Sequence, residues 1–125
     1  MKVLLVGAGG FLGSIARYWM SGLVQDRTSG RFPFGTLAVN VLGCFVIGAL
    51  SELADTRGLF SPEARAFVAI GVLGGFTTFS AFGNETVVLF RDRQGVLAAG
   101  NVLLHVVVAI GAVWAGRVAV RWIGR

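Results

Sequence analysis

Gly74-Gly75-Phe76-Thr77-Thr78-Phe79-Ser80-Ala81-Phe82-Gly83 lies inside a long apolar region and is unlike the residues around it. Paired glycines and three hydroxyls are set among phenylalanines at 76, 79 and 82. Glycine is a poor helix residue, and threonine hydroxyls compete for the backbone groups that a helix uses. The stretch therefore predicts a local break over 74–78. In lipid, a break survives only where protein, an ion or a water-filled cavity satisfies the freed backbone groups. Carbonyls released this way are natural cation ligands, and a half-helix end adds its dipole.

Beyond the break, Phe79 and Phe82 fall three apart on one helical face. Phenylalanines at this spacing are ordinarily packing residues. Their rings nevertheless have a positive edge as well as a negative face, and an edge can meet a small anion in a narrow, dry path. Hydroxyls of Thr78 and Ser80 and the amide of Asn40 would complete a weakly binding anion route.

The rest of the chain says what kind of solvent surrounds this stretch. Of 125 residues, 55% are hydrophobic and 14% are charged. A soluble domain of this size needs more charge to cover its surface, so lipid is the solvent for most of the chain. The same numbers exclude disorder. Apolar runs long enough to cross about 30 Å of hydrocarbon predict one all-α transmembrane domain over 1–125, with four spans near 3–24, 34–53, 63–90 and 96–123. The third is broken at 74–78. Pro33 stands near the start of the second span. Ser61-Pro62-Glu63 has the cap, proline and acid of a helix start. The first span is longer than a signal-peptide core, has no clear cleavage site, and is expected to be retained.

The formal net charge is +5, but no basic stripe runs along a helix with stacking aromatics, so no nucleic-acid partner is expected. Cys44 is the single cysteine and His105 the single histidine, which leaves no cysteine- or histidine-based metal cluster in one chain. Small residues four apart (Gly9 and Gly13, Gly10 and Ser14, Gly71 and Gly75, Ala112 and Gly116) predict close helix packing in lipid. Four spans put both termini on one side. That side carries Lys2, Arg57, Arg65, Arg117, Arg121 and Arg125, against Arg27, Arg31, Arg91 and Arg93 on the other. So slight a bias gives weak orientation and would permit insertion both ways, hence an antiparallel dimer.

Polar groups at membrane depth are costly and mark function more often than in soluble proteins. Arg17 either snorkels to the interface or serves as an anion-attracting charge or packing anchor. Asn40 donates to an anion or makes an interhelical hydrogen bond. Asn101, His105 and Glu85 belong to the later spans, His105 as a lining or hydrogen-bonded residue and Glu85 as a vestibule group. The glycines at 7, 10 and 13 mimic a dinucleotide-binding turn, yet no alternating strands and amphipathic helices follow, and helix packing uses the same residues. A proton-coupled multidrug exporter would need a carboxylate in the first span, where this chain has Arg17 and no acid. A non-transport membrane assembly protein would explain the small-residue faces but not the break.

Gly74–Phe82, together with Val39-Asn40-Val41-Leu42-Gly43 and the run from Gly9 to Tyr18, resembles the Fluc (CrcB) fluoride channels of microbes. The resemblance extends over essentially the whole chain. It implies an antiparallel homodimer in the bacterial inner membrane, with two fluoride pores built from both subunits, and no enzymatic activity. Phe79 and Phe82 would be the pore rings, Asn40 the supporting amide, and Thr78 and Ser80 the polar positions beside the rings. Gly74 and Thr77 would give carbonyls to a central sodium ion. Arg17 matches the family's first-span arginine, and Ala81 departs from a position that often carries a hydroxyl in relatives. Hydrogen fluoride crosses lipid and ionises in a near-neutral cytoplasm. A passive channel would then let the anion leave, helped by the membrane potential.

Overall fold

Hydropathy alone dictates most of the architecture. A computed structural model describes residues 1–58 and 60–123, and no strand occurs among them. Arg125 lies outside the described residues. Four helices are long and apolar enough to cross a membrane: Lys2–Arg27, Phe34–Arg57, Pro62–Arg91 and Gly95–Ile123. Helix α1 is Lys2–Arg27 and α2 is Phe34–Arg57. The third span is composite: α3 (Pro62–Arg65), a π-helical segment (Ala66–Leu73), α4 (Gly74–Phe76) and α5 (Phe79–Arg91). Helix α6 is Gly95–Ile123.

Local chemistry sets the ends. Thr28 closes α1 by donating its hydroxyl to the Val24 carbonyl at 3.0 Å. Gly58, with φ of 60°, ends α2 in the left-handed conformation that glycine adopts without steric cost. Ser61 caps α3, accepting from the Ala64 N–H at 3.1 Å, and Pro62 occupies the first turn, where its missing N–H is harmless. Between the first two spans, the Gln25 side chain donates to the Phe32 carbonyl and accepts from the Gly35 N–H, one of the orphan donors that begin α2.

Small residues bring the helices together. A methyl group at Gly13 would strike the Val72 carbonyl, one at Gly9 the Phe67 carbonyl, and one at Gly75 the backbone of Gly10. The N-terminal glycines are thus a packing face for the third span. On the other side of the bundle, Gly48 lies against the Val113 backbone and Gly116 against that of Phe45, which draws α2 along α6. Helix α1 packs on the π-helical segment and α4, while α5 packs chiefly on α6.

The break is narrower than the sequence predicts. Gly74 is helical (φ −62°, ψ −36°), and Gly75 stays within α4. Only Thr77 (φ −88°, ψ 159°) and Thr78 (φ −152°, ψ 115°) are extended. Gly75 is there for close approach to α1, so its weak helix propensity is overridden by packing. The irregularity continues upstream instead, in the eight-residue π-helical segment, a form that seldom runs beyond a single turn.

Candidate ion-permeation site

Two extended residues in a membrane helix leave backbone groups that must find partners, and three of the four on Thr77 and Thr78 find them in side chains. Asn40, in the second turn of α2, takes both groups of Thr78. Its Nδ2 donates to the Thr78 carbonyl at 3.0 Å, and its Oδ1 accepts from the Thr78 N–H at 2.8 Å. One amide thereby imitates a strand neighbour. The Thr78 hydroxyl accepts from the Ala81 N–H at 3.2 Å, capping α5, and lies 3.2 Å from the Ser80 hydroxyl. Thr77 donates both its N–H and its hydroxyl to the Leu73 carbonyl, each at 3.0 Å. Arg17 reaches across from α1, and its Nη1 donates to the Thr77 carbonyl at 3.4 Å. Arg17 thus meets the break at the Thr77 carbonyl.

A cavity of about 400 Å³ opens on this break. Asn40, Gly43, Cys44, Thr77, Thr78, Phe79, Phe82 and His105 are among the residues around it. Gly43 belongs here for steric reasons, because a methyl at that position would meet the Thr77 methyl. Phe79 stands 82% exposed at the rim, whereas Phe82 is buried. Their ring centroids are 5.3 Å apart with planes at 60°. His105 is buried against Phe82, with centroids 4.3 Å apart and planes at 35°.

Below the rings runs a second set of polar groups. Thr36 donates its hydroxyl to Glu85 Oε1 at 2.6 Å, joining α2 to α5. Asn101 is fully buried and donates to the Thr86 hydroxyl at 2.9 Å, which in turn donates to the Phe82 carbonyl. His105 Nδ1 lies 3.0 Å from the Asn101 carbonyl. Three buried atoms, Glu85 Oε2, Asn101 Oδ1 and His105 Nε2, have no partner among the described residues. Such groups are rare in folded proteins because each lacks the solvation it had in water.

Asn40, Thr77, Thr78, Phe79, Phe82 and His105 therefore meet at one cavity, with Ser80 bonded to Thr78 at its edge. Glu85 lies one turn past Phe82, with its Oε1 accepting from Thr36. Thr36 and Thr86 are not singled out by the sequence reading; their spacing from Asn40 and Phe82, four residues each, is the signal that puts them on the same faces.

Gly74 and Thr77 suit a hard cation through their carbonyl oxygens. The Thr78 N–H, the regular helical partner of the Gly74 carbonyl, is taken by Asn40, and the Gly74 Cα hydrogens face open space. The Thr77 carbonyl keeps a second lone pair beside its long bond to Arg17.

A separate cluster closes the end where the chain termini lie. Glu52 is almost wholly buried and bridges Arg117 at 3.1 Å and Arg121 at 2.7 Å; Arg117 also reaches Asp55 at 3.1 Å. In the sequence Glu52 only marks the exit of a span. The matching signal is the four-residue spacing of Arg117 and Arg121, which puts both cations on one face.

The chain matches the family model described as "CrcB-like protein, Camphor Resistance (CrcB)" over residues 4–117. It is 47% identical over 120 residues to a protein of Rhodospirillum rubrum named fluoride-specific ion channel FluC, covering 94% of this chain and 93% of that one. A protein of the same name from Methylobacillus flagellatus is 46% identical over 116 residues, with 92% and 91% covered. One from Geotalea daltonii is 43% identical over 121 residues, with 97% and 98% covered. Four apolar spans and bacterial relatives of similar length identify a multi-pass protein of the bacterial inner membrane. With the family model matched from the first span into the last, the chain belongs to the CrcB family.

Proposed function

We propose that this chain is a passive fluoride channel that lets the anion leave the cytoplasm, and that it works as an antiparallel homodimer with two pores. The relatives' printed name supplies the ion. The structural observation that carries the pore is Phe79, a large ring 82% exposed on the first turn after the break and 5.3 Å from Phe82. A ring so placed beside a cavity needs either lipid or a second copy to cover it. A second copy would enclose the cavity and leave ring edges facing a narrow path.

Within that path the edges of Phe79 and Phe82 attract the anion without binding it tightly. Thr78 and Ser80 offer hydroxyls that can turn their hydrogens toward it. Asn40 acts through its grip on Thr78, which fixes where α5 begins and so where both rings stand. A sodium ion held by the carbonyls of Gly74 and Thr77 in two facing copies would supply positive charge to the freed backbone oxygens. Arg17 supplies part of that charge from within the chain. No bond is made or broken in this activity, and no enzyme function is proposed.

The test is anion efflux from liposomes carrying the purified full-length protein. Rapid fluoride release with chloride retained is expected. Equal release of both anions overturns the selectivity claim, and release of neither overturns the channel.

A further inference from the structure

His105 is the one titratable residue of α6 before Arg117, and it occupies the layer of the pore rings. Its Nδ1 lies 3.0 Å from the Asn101 carbonyl. A carbonyl only accepts, so Nδ1 carries a hydrogen in any protonation state. The state of the ring is therefore decided at Nε2, which is buried without a partner among the described residues. At the same time the imidazole sits on Phe82, centroids 4.3 Å apart and planes 35° from parallel. That geometry lays the imidazole over the phenyl ring, while Phe79 packs on the same ring with centroids 5.3 Å apart.

We propose that His105 is a positioning residue that tunes Phe82 by taking up a proton at Nε2. This rests on the fluoride-channel reading above. A cation on the negative face of an aromatic ring is attracted to it. The charge also adds to the positive potential at the ring edge, where the anion passes. Neutral His105 holds Phe82 in place; protonated His105 makes the same edge a better anion contact. Fluoride conduction thus rises in acid, the condition in which more hydrogen fluoride enters a cell.

The charged and titratable groups of the surrounding elements are few. Helix α2 contributes Cys44 on the same cavity, α5 contributes Glu85 one turn past Phe82, and α1 contributes Arg17 at the Thr77 carbonyl. The π-helical segment and α4 contribute none.

The experiment is electrical recording of fluoride current through the full-length protein in planar bilayers, from about pH 8 to about pH 5.5. Neutral hydrogen fluoride carries no current, so leakage through lipid does not enter the signal. Wild-type current at sub-saturating fluoride is expected to rise about fivefold toward acid. His105→Phe keeps an aromatic ring on Phe82 and cannot titrate; His105→Gln removes both ring and proton. Both are expected to conduct with a flat pH profile, whereas Glu63→Gln, at an exposed site away from the cavity, keeps the rise. A flat wild-type profile overturns the proposal, as does an undiminished rise in either His105 variant that conducts. Absence of wild-type fluoride current at every pH would instead sink the channel reading beneath it.

Discussion

Arg121 grips both carboxylate oxygens of Glu52, with Nε at 2.7 Å from Oε1 and Nη2 at 3.1 Å from Oε2, across the ends of α2 and α6. Arg117 adds a third bond to the same carboxylate. Glu52 is the buried member of the cluster and ties both arginines of α6 to α2, while the arginine side chains are 35% and 60% exposed. Glu52→Ala should therefore lower the midpoint of thermal unfolding in detergent by roughly 2–5 °C. Glu63→Ala, at an exposed site, should leave it unchanged. Equal midpoints for both variants would show that the cluster does not hold the helices.

Close approach of α1 to the third span makes a different prediction. Gly13→Ala places a methyl group against the Val72 carbonyl, and backbone must shift to admit it. A loss of about 1–3 kcal/mol is expected, read as reduced stability of the extracted protein. Gly7→Ala, whose added methyl meets nothing within 4 Å, should be neutral. If both behave alike, the contact is not tight in the membrane.

Asn40 offers the most direct test of the break. Asn40→Asp retains an acceptor for the Thr78 N–H but loses the donor to the Thr78 carbonyl, and Asn40→Ala loses both. Each unsatisfied buried group costs about 1–3 kcal/mol. Fluoride efflux should fall at least tenfold in Asn40→Ala, and Asn40→Asp, which sets a carboxylate oxygen against the Thr78 carbonyl at membrane depth, should be no more stable than Asn40→Ala. Wild-type efflux from Asn40→Ala would remove the amide from the mechanism.

Phe82→Ile keeps bulk at the cavity and deletes the ring edge. Fluoride release should slow sharply while the protein elutes from size exclusion unchanged. An unaltered rate would return Phe82 to the role of ordinary packing.

Length and hydropathy are enough to read the four spans, and the mixture of hydroxyls and glycines marks the third as irregular. The limits of that irregularity are not legible. Gly74 and Gly75 look like helix breakers in one dimension, but Gly75 is needed where α1 crosses, against the distant Gly10. Asn40 and Thr78 can each be suspected, yet their mutual bonds depend on how α2 lies beside the break. Glu52 looks like the last acid of a span because its partners come from the far end of the chain. In each case the missing information is a tertiary neighbour, which local propensity does not encode.

The third span changes company at Thr77. Before it, the π-helical segment and α4 lean on α1; after it, α5 leans on α6. The two threonines at the change are already extended, so relative tilt of the two halves needs rotation at few backbone bonds. Mechanically this is a joint between two blocks, stiffened by a carboxamide from α2 on Thr78 and a guanidinium from α1 on Thr77. Whatever bends the bundle must either carry Asn40 along with Thr78 or pull two hydrogen bonds apart.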